Sequence, residues 1–303
     1  MKNAIEVLNL TKNYKQVQAV KGISFQVKQG TLFAFLGPNG AGKSTTINVV
    51  CSLLSFDQGE INILGNHVGK DDAIIRQKIG IVFQNSVLDD RLSIEENLQT
   101  RGKLYGMNDD ELNESIKRAL EIADIYEIRK RRFGKLSGGQ KRRADIARAL
   151  IHQPEILFLD EPTTGLDPQT RKNVWSTIQS LQKNTGMTVF LTTHYLEEAN
   201  EADEVVVIDH GEIVAKGTPS ELKNTFSHDR LEINPKDQDK VLKLLGDQVQ
   251  YEVKNDIILI PLSDTLDAYP LLKLLEGEII SFQVLNGSLD DAFITITGEE
   301  MRS

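Results

Sequence analysis

Gly37-Pro38-Asn39-Gly40-Ala41-Gly42-Lys43-Ser44-Thr45 follows directly on the apolar run Leu32-Phe33-Ala34-Phe35-Leu36. Five consecutive apolar residues suit a central strand buried on both faces. The nine residues after them match the G-x-x-x-x-G-K-[ST] spacing of a phosphate-binding loop. Its glycines let backbone N–H groups point inward around phosphate oxygens, and the helix beginning at Lys43 adds the partial positive charge of its N-terminus. Lys43 brings a point charge to the β- and γ-phosphates, and the Ser44 hydroxyl is placed to ligate Mg²⁺. A glycine-rich turn with a purely structural purpose has no need of Lys-Ser at its end. The spacing therefore implies a nucleoside triphosphate site on a strand–loop–helix unit.

Outward from this unit the chain alternates. Ile5 and Val7, then Ile23, Phe25 and Val27, alternate with polar neighbours as half-buried antiparallel strands do. The helix after the loop is expected from Lys43 to about Leu53, before the turn signal Phe56-Asp57-Gln58-Gly59, and Ile79–Phe83 reads as a short strand ending at Gln84. Amphipathic helices dominate from Ser86 to Ile151, with helix starts of capping-box type at Ser93-Ile94-Glu95-Glu96 and Asn108-Asp109-Asp110-Glu111. Buried-strand signals return at Ile156–Leu159 and Thr188–Leu191. Between them Asp167-Pro168 announces a helix by a capping acid and a proline at its first position. The fold class is α/β: a mostly parallel sheet core, an antiparallel β subdomain at the N-terminus and an inserted helical subdomain over 86–151.

This pattern ends near Phe226. Beyond it come a strand at Arg230–Ile233, a helix at Lys236–Leu245, strands at Val249–Val253 and Ile257–Ile260 and a helix near Leu266–Leu275. A strand near Ile279–Val284 and a last helix near Leu289–Ile296 follow. The order β-α-β-β-α-β plus a tail helix suggests a small α+β domain of ferredoxin-like type over 226–303.

Composition sets bounds. The 303 residues suffice for one large and one small domain. A net charge of -9 argues against a nucleic-acid partner, whose phosphates call for a basic surface. The single cysteine, Cys51, excludes an internal disulfide and, among Val49, Val50 and Leu53, reads as a small buried apolar residue. No stretch approaches the ~18–20 apolar residues that span a bilayer, and the start lacks a signal-peptide core. A cytoplasmic chain is expected, with any membrane-spanning part supplied by another polypeptide. The basic residues Arg129–Arg132, Lys135 and Lys141–Arg143 read as a solvated helical face.

Two further segments carry chemistry. Ile156-Leu157-Phe158-Leu159 ends in Asp160-Glu161, which brings two acids to the carboxyl end of a buried strand. Such a pair is either salt-bridged or divides its labour, one acid neutralised by metal and the other free to accept a proton. Leu136-Ser137-Gly138-Gly139-Gln140 spaces Ser and Gln as a capping box, so a helix opens there. Two glycines weaken a helix start, but they suit a backbone that must approach an anion closely.

Together with the phosphate loop, this last segment resembles the ATP-binding cassette (ABC) family, over roughly residues 4–225. The resemblance implies an ATPase that uses ATP and Mg²⁺. Gly37 through Thr45 would cradle the nucleotide, Tyr14 would stack on adenine, and Ser44, Gln84 and Asp160 would serve the metal. Glu161 would act as general base, with His194 at the γ-phosphate, Gln84 at the family's Q-loop position and Thr164-Gly165-Leu166-Asp167 as the D-loop. Ser137, Gly138, Gly139 and Gln140 would meet the ATP of a second cassette, implying a head-to-tail pair, homodimer or heterodimer. Leu285-Asn286-Gly287-Ser288-Leu289-Asp290-Asp291-Ala292-Phe293 resembles the tail of ATPase subunits of bacterial drug- and antibiotic-type ABC exporters. This implies a separate transmembrane permease and a place on the inner face of the cell membrane. The alternative, an ABC-type ATPase of translation or DNA repair, fits less well. The first usually carries two cassettes in a chain, and the second inserts long coiled coils or zinc-binding segments. Only about fifty residues separate Gln84 from Leu136, without a Cys pair.

Overall fold

The computed structural model describes residues 2–246 and 249–298. The chain divides into two units, the first ending at Thr218 and the second beginning at Pro219. The division falls seven residues before the one read from sequence, because the helix Pro219–Phe226 packs on the helix Leu289–Thr297 of the second unit.

The first unit begins with β1 (Asn3–Tyr14), β2 (Val17–Lys28), β3 (Leu32–Leu36), α1 (Lys43–Val50), β4 (Gln58–Ile63) and β5 (Asn66–His67). It continues through α2 (Asp72–Lys78), β6 (Ile79–Val82), α3 (Ile94–Gly102), α4 (Asp109–Ile122) and α5 (Gly138–Leu150). Then come β7 (Ile156–Asp160), α6 (Pro168–Thr185), β8 (Thr188–Thr193), α7 (Leu196–Asn200), β9 (Glu204–Asp209) and β10 (Glu212–Gly217). One sheet has the order β10-β9-β3-β8-β7-β6, parallel except for β10. A second, wholly antiparallel sheet has the order β2-β1-β4-β5.

All five residues of β3 are buried, as expected of a strand flanked by β9 and β8. The alternating residues of β1 and β2 turn inward, and Phe25 joins the two sheets. Its ring lies 5.7 Å from Phe33 and 5.4 Å from Phe35. Phe190 of β8 lies 5.1 Å from Phe33 and 5.4 Å from Phe158 of β7. Offset and tilted rings at such separations add to the burial of the rings themselves.

Local signals set the helix starts. Ser93 and Asn108 each form a reciprocal capping box, and Asp167 caps α6 ahead of Pro168. Helix α1 stops at Val50 rather than Leu53, since Ser52 turns into the left-handed region at φ 56°. The β9–β10 hairpin had no counterpart in the sequence reading. It turns on His210-Gly211, both at positive φ, as a two-residue hairpin turn requires. Cys51 is fully buried. Among the described residues no helix is long and apolar enough to cross a membrane.

The second unit comprises α8 (Pro219–Phe226), β11 (Asp229–Pro235), α9 (Gln238–Leu245), β12 (Glu252–Lys254) and β13 (Ile257–Leu262). It closes with α10 (Ala268–Leu274), β14 (Ile279–Leu285) and α11 (Leu289–Thr297). The antiparallel sheet order β12-β13-β11-β14 is the ferredoxin-like arrangement of the β-α-β-β-α-β segment. Leu231, Ile233, Ile258 and Ile260 form a core with Val241 and Leu245 of α9 and Ala268 of α10. Strand β12 is shorter and later than Val249–Val253. The turn Asn255-Asp256, both at positive φ, pairs Lys254 with Ile257 and so sets where the ladder begins.

Phe190 is fully buried and touches four other rings of the inter-sheet cluster. Phe190→Ala should lower the unfolding free energy by about 3–5 kcal/mol, read as a lower urea midpoint. A loss below about 1 kcal/mol would show that the cluster does not fasten the sheets.

Candidate active site

The loop after β3 is shaped by what its glycines lack. A Cβ on Gly37 would lie 2.2 Å from the Ile208 carbonyl oxygen of β9, and one on Gly42 would lie 2.6 Å from that of Ala19. Gly42 also has φ 107° and offers no side chain to cap α1, so the first amides of the helix remain available to an anion. Gly37 N–H donates to the Thr193 carbonyl at 3.2 Å, and Gly211 N–H donates to that of Ala41 at 3.0 Å. Lys43 is buried, and its Nζ donates to the carbonyls of Gly37 at 2.7 Å and Pro38 at 3.0 Å. Burial lowers its pKa, opposed by the neighbouring Glu161 carboxylate. Asn39 and Gly40 are exposed at the turn, and Thr45 is half-buried on α1.

Parallel register brings the other strand ends to this loop. Asp160 pairs with Thr192 across β7 and β8, and Leu36 pairs with Thr193 across β3 and β8. Thr192 Oγ1 donates to Asp160 Oδ1 at 2.6 Å, and Ser44 Oγ donates to the same oxygen at 3.2 Å. Burial raises the Asp160 pKa, with the two hydroxyls acting in the opposite sense.

Glu161 stands at φ 44°, outside the regions an ordinary residue prefers. Its N–H donates to the Thr192 carbonyl at 3.2 Å and to Thr192 Oγ1 at 3.1 Å, which fixes the turn. Its Oε1 lies 3.3 Å from Lys43 Nζ. Its Oε2 accepts from Thr164 Oγ1 at 3.1 Å and from Gln84 Nε2 at 3.5 Å. His194 Nδ1 approaches Oε2 at 3.3 Å. The His194 ring is the largest influence holding the Glu161 pKa at about 2; Lys43 and Thr164 act with it and burial acts against them.

The structure thus gathers Gly37, Lys43, Ser44, Gln84, Asp160, Glu161, Thr164 and His194 at the carboxyl ends of parallel strands, where open α/β sheets bind ligands. Tyr14 stands apart at the tip of the β1–β2 hairpin, 45 % exposed, with Lys12 Nζ 5.5 Å from its ring centre. The Ser137–Gln140 segment also stands apart. Ser137 caps α5 through the reciprocal bonds Gln140 N–H to Ser137 Oγ (3.4 Å) and Ser137 N–H to Gln140 Oε1 (3.1 Å). Gly138 and Gly139 have a reason within their own chain. Cβ atoms there would lie 3.0 Å from Leu166 Cδ2 and 2.3 Å from Thr170 Cγ2, so the glycines let α5 approach the start of α6.

Three residues of the site escaped the sequence reading. Thr192 lies just past the strand signal Thr188–Leu191, yet it touches both acids. Arg142, grouped with a solvated basic face, is 7 % exposed and donates to the carbonyls of Phe83, Asp160, Glu161 and Pro162. Glu198 is buried, accepts from Thr163 Oγ1 and Thr193 Oγ1, and has its pKa raised by burial. Arg142 bonds backbone carbonyls, which leave no spacing pattern to find, and the partners of Thr192 and Glu198 are brought together by the fold rather than by a motif.

The oxygen donors suit a hard divalent cation. Asp160 accepts from two neutral hydroxyls, and one of them, Ser44 Oγ on the phosphate loop, is already beside it. Among the described residues no group of three or more His, Cys, Asp or Glu is poised for a metal. A cation bound mainly by substrate phosphates and water, as Mg²⁺ prefers, fits this sparse set.

Known proteins resemble both units of the chain. The family model described as ABC transporter matches residues 20–164, and that for the ATP-binding protein DrrA1-3-like C-terminal domain matches residues 217–297. The daunorubicin/doxorubicin resistance ATP-binding protein DrrA of Streptomyces peucetius is 37 % identical over 309 residues, covering 97 % of this chain and 92 % of its own. Nod factor export ATP-binding protein I of Rhizobium sp. (strain N33) is 36 % identical over 303 residues, covering 99 % of each. Among solved structures, the dimeric post-hydrolysis state of the ATP-binding cassette MJ0796 bound to ADP and Pi superposes with a TM-score of 0.64. Its identity is 29 %, over 71 % of this chain and 98 % of that one. With both of its units matched, the chain belongs to the ABC transporter family as an ATP-binding and ATP-hydrolysing subunit.

Proposed function

We propose that this chain powers export through a separate transmembrane permease, paired head to tail with a second cassette. The observation that carries the reading is the incompleteness of the site. Lys43, Ser44, Asp160, Glu161 and His194 cluster on one another beside the loop, while Ser137 and Gln140 close a capping box on each other at the start of α5. The dimeric MJ0796 cassette supports the pairing, and the export and resistance named for the relatives support the direction. The place on the inner face of the membrane follows from such a permease. The accessory domain, whose sequence boundary at 226 becomes Pro219 in the fold, would modulate the pair.

In this reading the loop amides and Lys43 hold the β- and γ-phosphates, and Tyr14 stacks on the adenine. Ser44, Asp160 and Gln84 would hold Mg²⁺, which neutralises charge across those phosphates. Glu161 takes a proton from the attacking water, whose oxygen bonds the γ-phosphorus as the bond to the β–γ bridging oxygen breaks. ADP and inorganic phosphate result. His194 lies beside Glu161 and meets the γ-phosphate. A carboxylate held near pKa 2 is firmly anionic but a weak base. Phosphate oxygens that draw Lys43 toward themselves and add negative charge beside Glu161 raise its proton affinity at the moment of use. Ser137, Gly138, Gly139 and Gln140 meet the nucleotide held by the partner.

Glu161→Gln should keep ATP binding, lower kcat by about 10²–10⁴-fold and accumulate an ATP-bound dimer on size exclusion. Unchanged turnover would remove Glu161 from the role of base. Asp160→Asn should raise the Mg²⁺ concentration for half-maximal hydrolysis by about tenfold or more; an unshifted Mg²⁺ titration would remove Asp160 from the metal. Pull-down of the tagged chain from its host should bring a polytopic membrane protein. Ribosomes or DNA in its place would overturn the transport reading.

A further inference from the structure

We propose that Arg142 is a positioning residue for hydrolysis, holding the backbone of Glu161 and the end of the Gln84 strand against the helix that begins at Ser137. The proposal rests on the reading of Glu161 as the base.

Strand β6 is the edge of the six-stranded sheet, and among the described strands it pairs with β7 alone. Edge strands leave a row of unpaired carbonyls, and here α5 and the residues just after it cover that row. Arg142 Nη1 donates to the Phe83 carbonyl, Arg148 Nη2 donates to that of Ile81, and His152 Nε2 meets that of Ile79 at 2.9 Å. The carbonyls are two residues apart, as one edge of a strand requires. Ser86 Oγ adds a bond to Asp145 Oδ1 at 2.7 Å. The segment around Gln84 is thereby tied along α5.

Arg142 alone on this row reaches further. Its Nη2 donates to the carbonyls of Asp160 at 2.9 Å and Glu161 at 3.0 Å, and its Nε donates to that of Pro162. A planar guanidinium with five donors can serve four carbonyls from two segments at once, which a lysine ammonium cannot. The reach has a purpose. Glu161 occupies the left-handed region at φ 44°, a conformation that persists only when its surroundings impose it. Thr192 holds the N–H of this residue and Arg142 holds its C=O, so the carboxylate is aimed from both sides of its Cα. Arg142 lies five residues after Ser137 on one short helix. Any displacement of that helix start moves the clamp on Glu161.

The test is a double-mutant cycle on the purified full chain, reading kcat, KM for ATP and single-turnover hydrolysis. Arg142→Lys should lower kcat by about 10²-fold, the cost of a misplaced group, with KM changed less than about threefold. In the Glu161→Gln background it should cause no further loss, because both changes disable the same base. Arg148→Lys is the control: it disturbs the same sheet edge without touching residues 160–162, so its loss should multiply with that of Glu161→Gln. Arg142→Met, of similar length and uncharged, repeats the cycle if the lysine variant does not fold. A kcat within twofold of wild type, or equal fold-losses in both backgrounds, would overturn the proposal. So would failure of both variants to fold and bind ATP, which would assign Arg142 to stability. Normal turnover by Glu161→Gln itself would indict the base assignment rather than Arg142.

Discussion

Asp160 and Thr192 face each other because β7 and β8 run parallel in a register that pairs them, and the hydrogen bond between their side chains records that alignment. Much of the site depends on it. A slip of one residue would turn every side chain of the strand to the opposite face, removing Asp160 from Ser44 and Thr192 from Glu161. The aromatic cluster protects the register from below. Phe158, Phe190 and Phe33 lie level across three neighbouring strands, so no strand can shift without unstacking its neighbour. Gly37 completes the constraint, since only a residue without Cβ lets the chain leave β3 against the Ile208 carbonyl.

Buried acids in this molecule are treated in two ways. Asp145, Asp160 and Glu198 are desolvated more than they are stabilised, and their pKa values rise. Glu161 is also buried but sits among His194, Lys43 and Thr164, and its pKa falls. Neutral hydroxyl donors orient a carboxylate without neutralising it, which suits a group kept for a cation. Cationic and ring neighbours commit a carboxylate to its ionised form. Glu198 has a different use: by joining Thr163 to Thr193 it fixes the segments that leave β7 and β8 relative to each other.

What the sequence discloses here is local chemistry with a fixed spacing. The phosphate loop, the caps at Ser93, Asn108, Ser137 and Asp167, and the acids ending β7 could be read because each depends on residues a few positions apart. The ferredoxin-like order was legible from alternating apolar runs, although β12 shifted because its turn, rather than its apolar residues, sets the ladder. Arg142 was not legible. Its partners are carbonyls at 83 and 160–162, distant in sequence and identical for any residue type. The glycines at 138 and 139 could be seen but not fully explained, because the helix they accommodate lies about thirty residues on.

The division at Thr218 has a consequence in time. Both sheets of the first unit and every residue of its nucleotide site precede that point, and the second unit has a core of its own. At about 5–20 residues per second of synthesis, the 85 residues after Thr218 take roughly 4–17 s to add. Domains generally fold as units, the earlier one first. The first unit can therefore begin to fold on the ribosome before the accessory domain is complete.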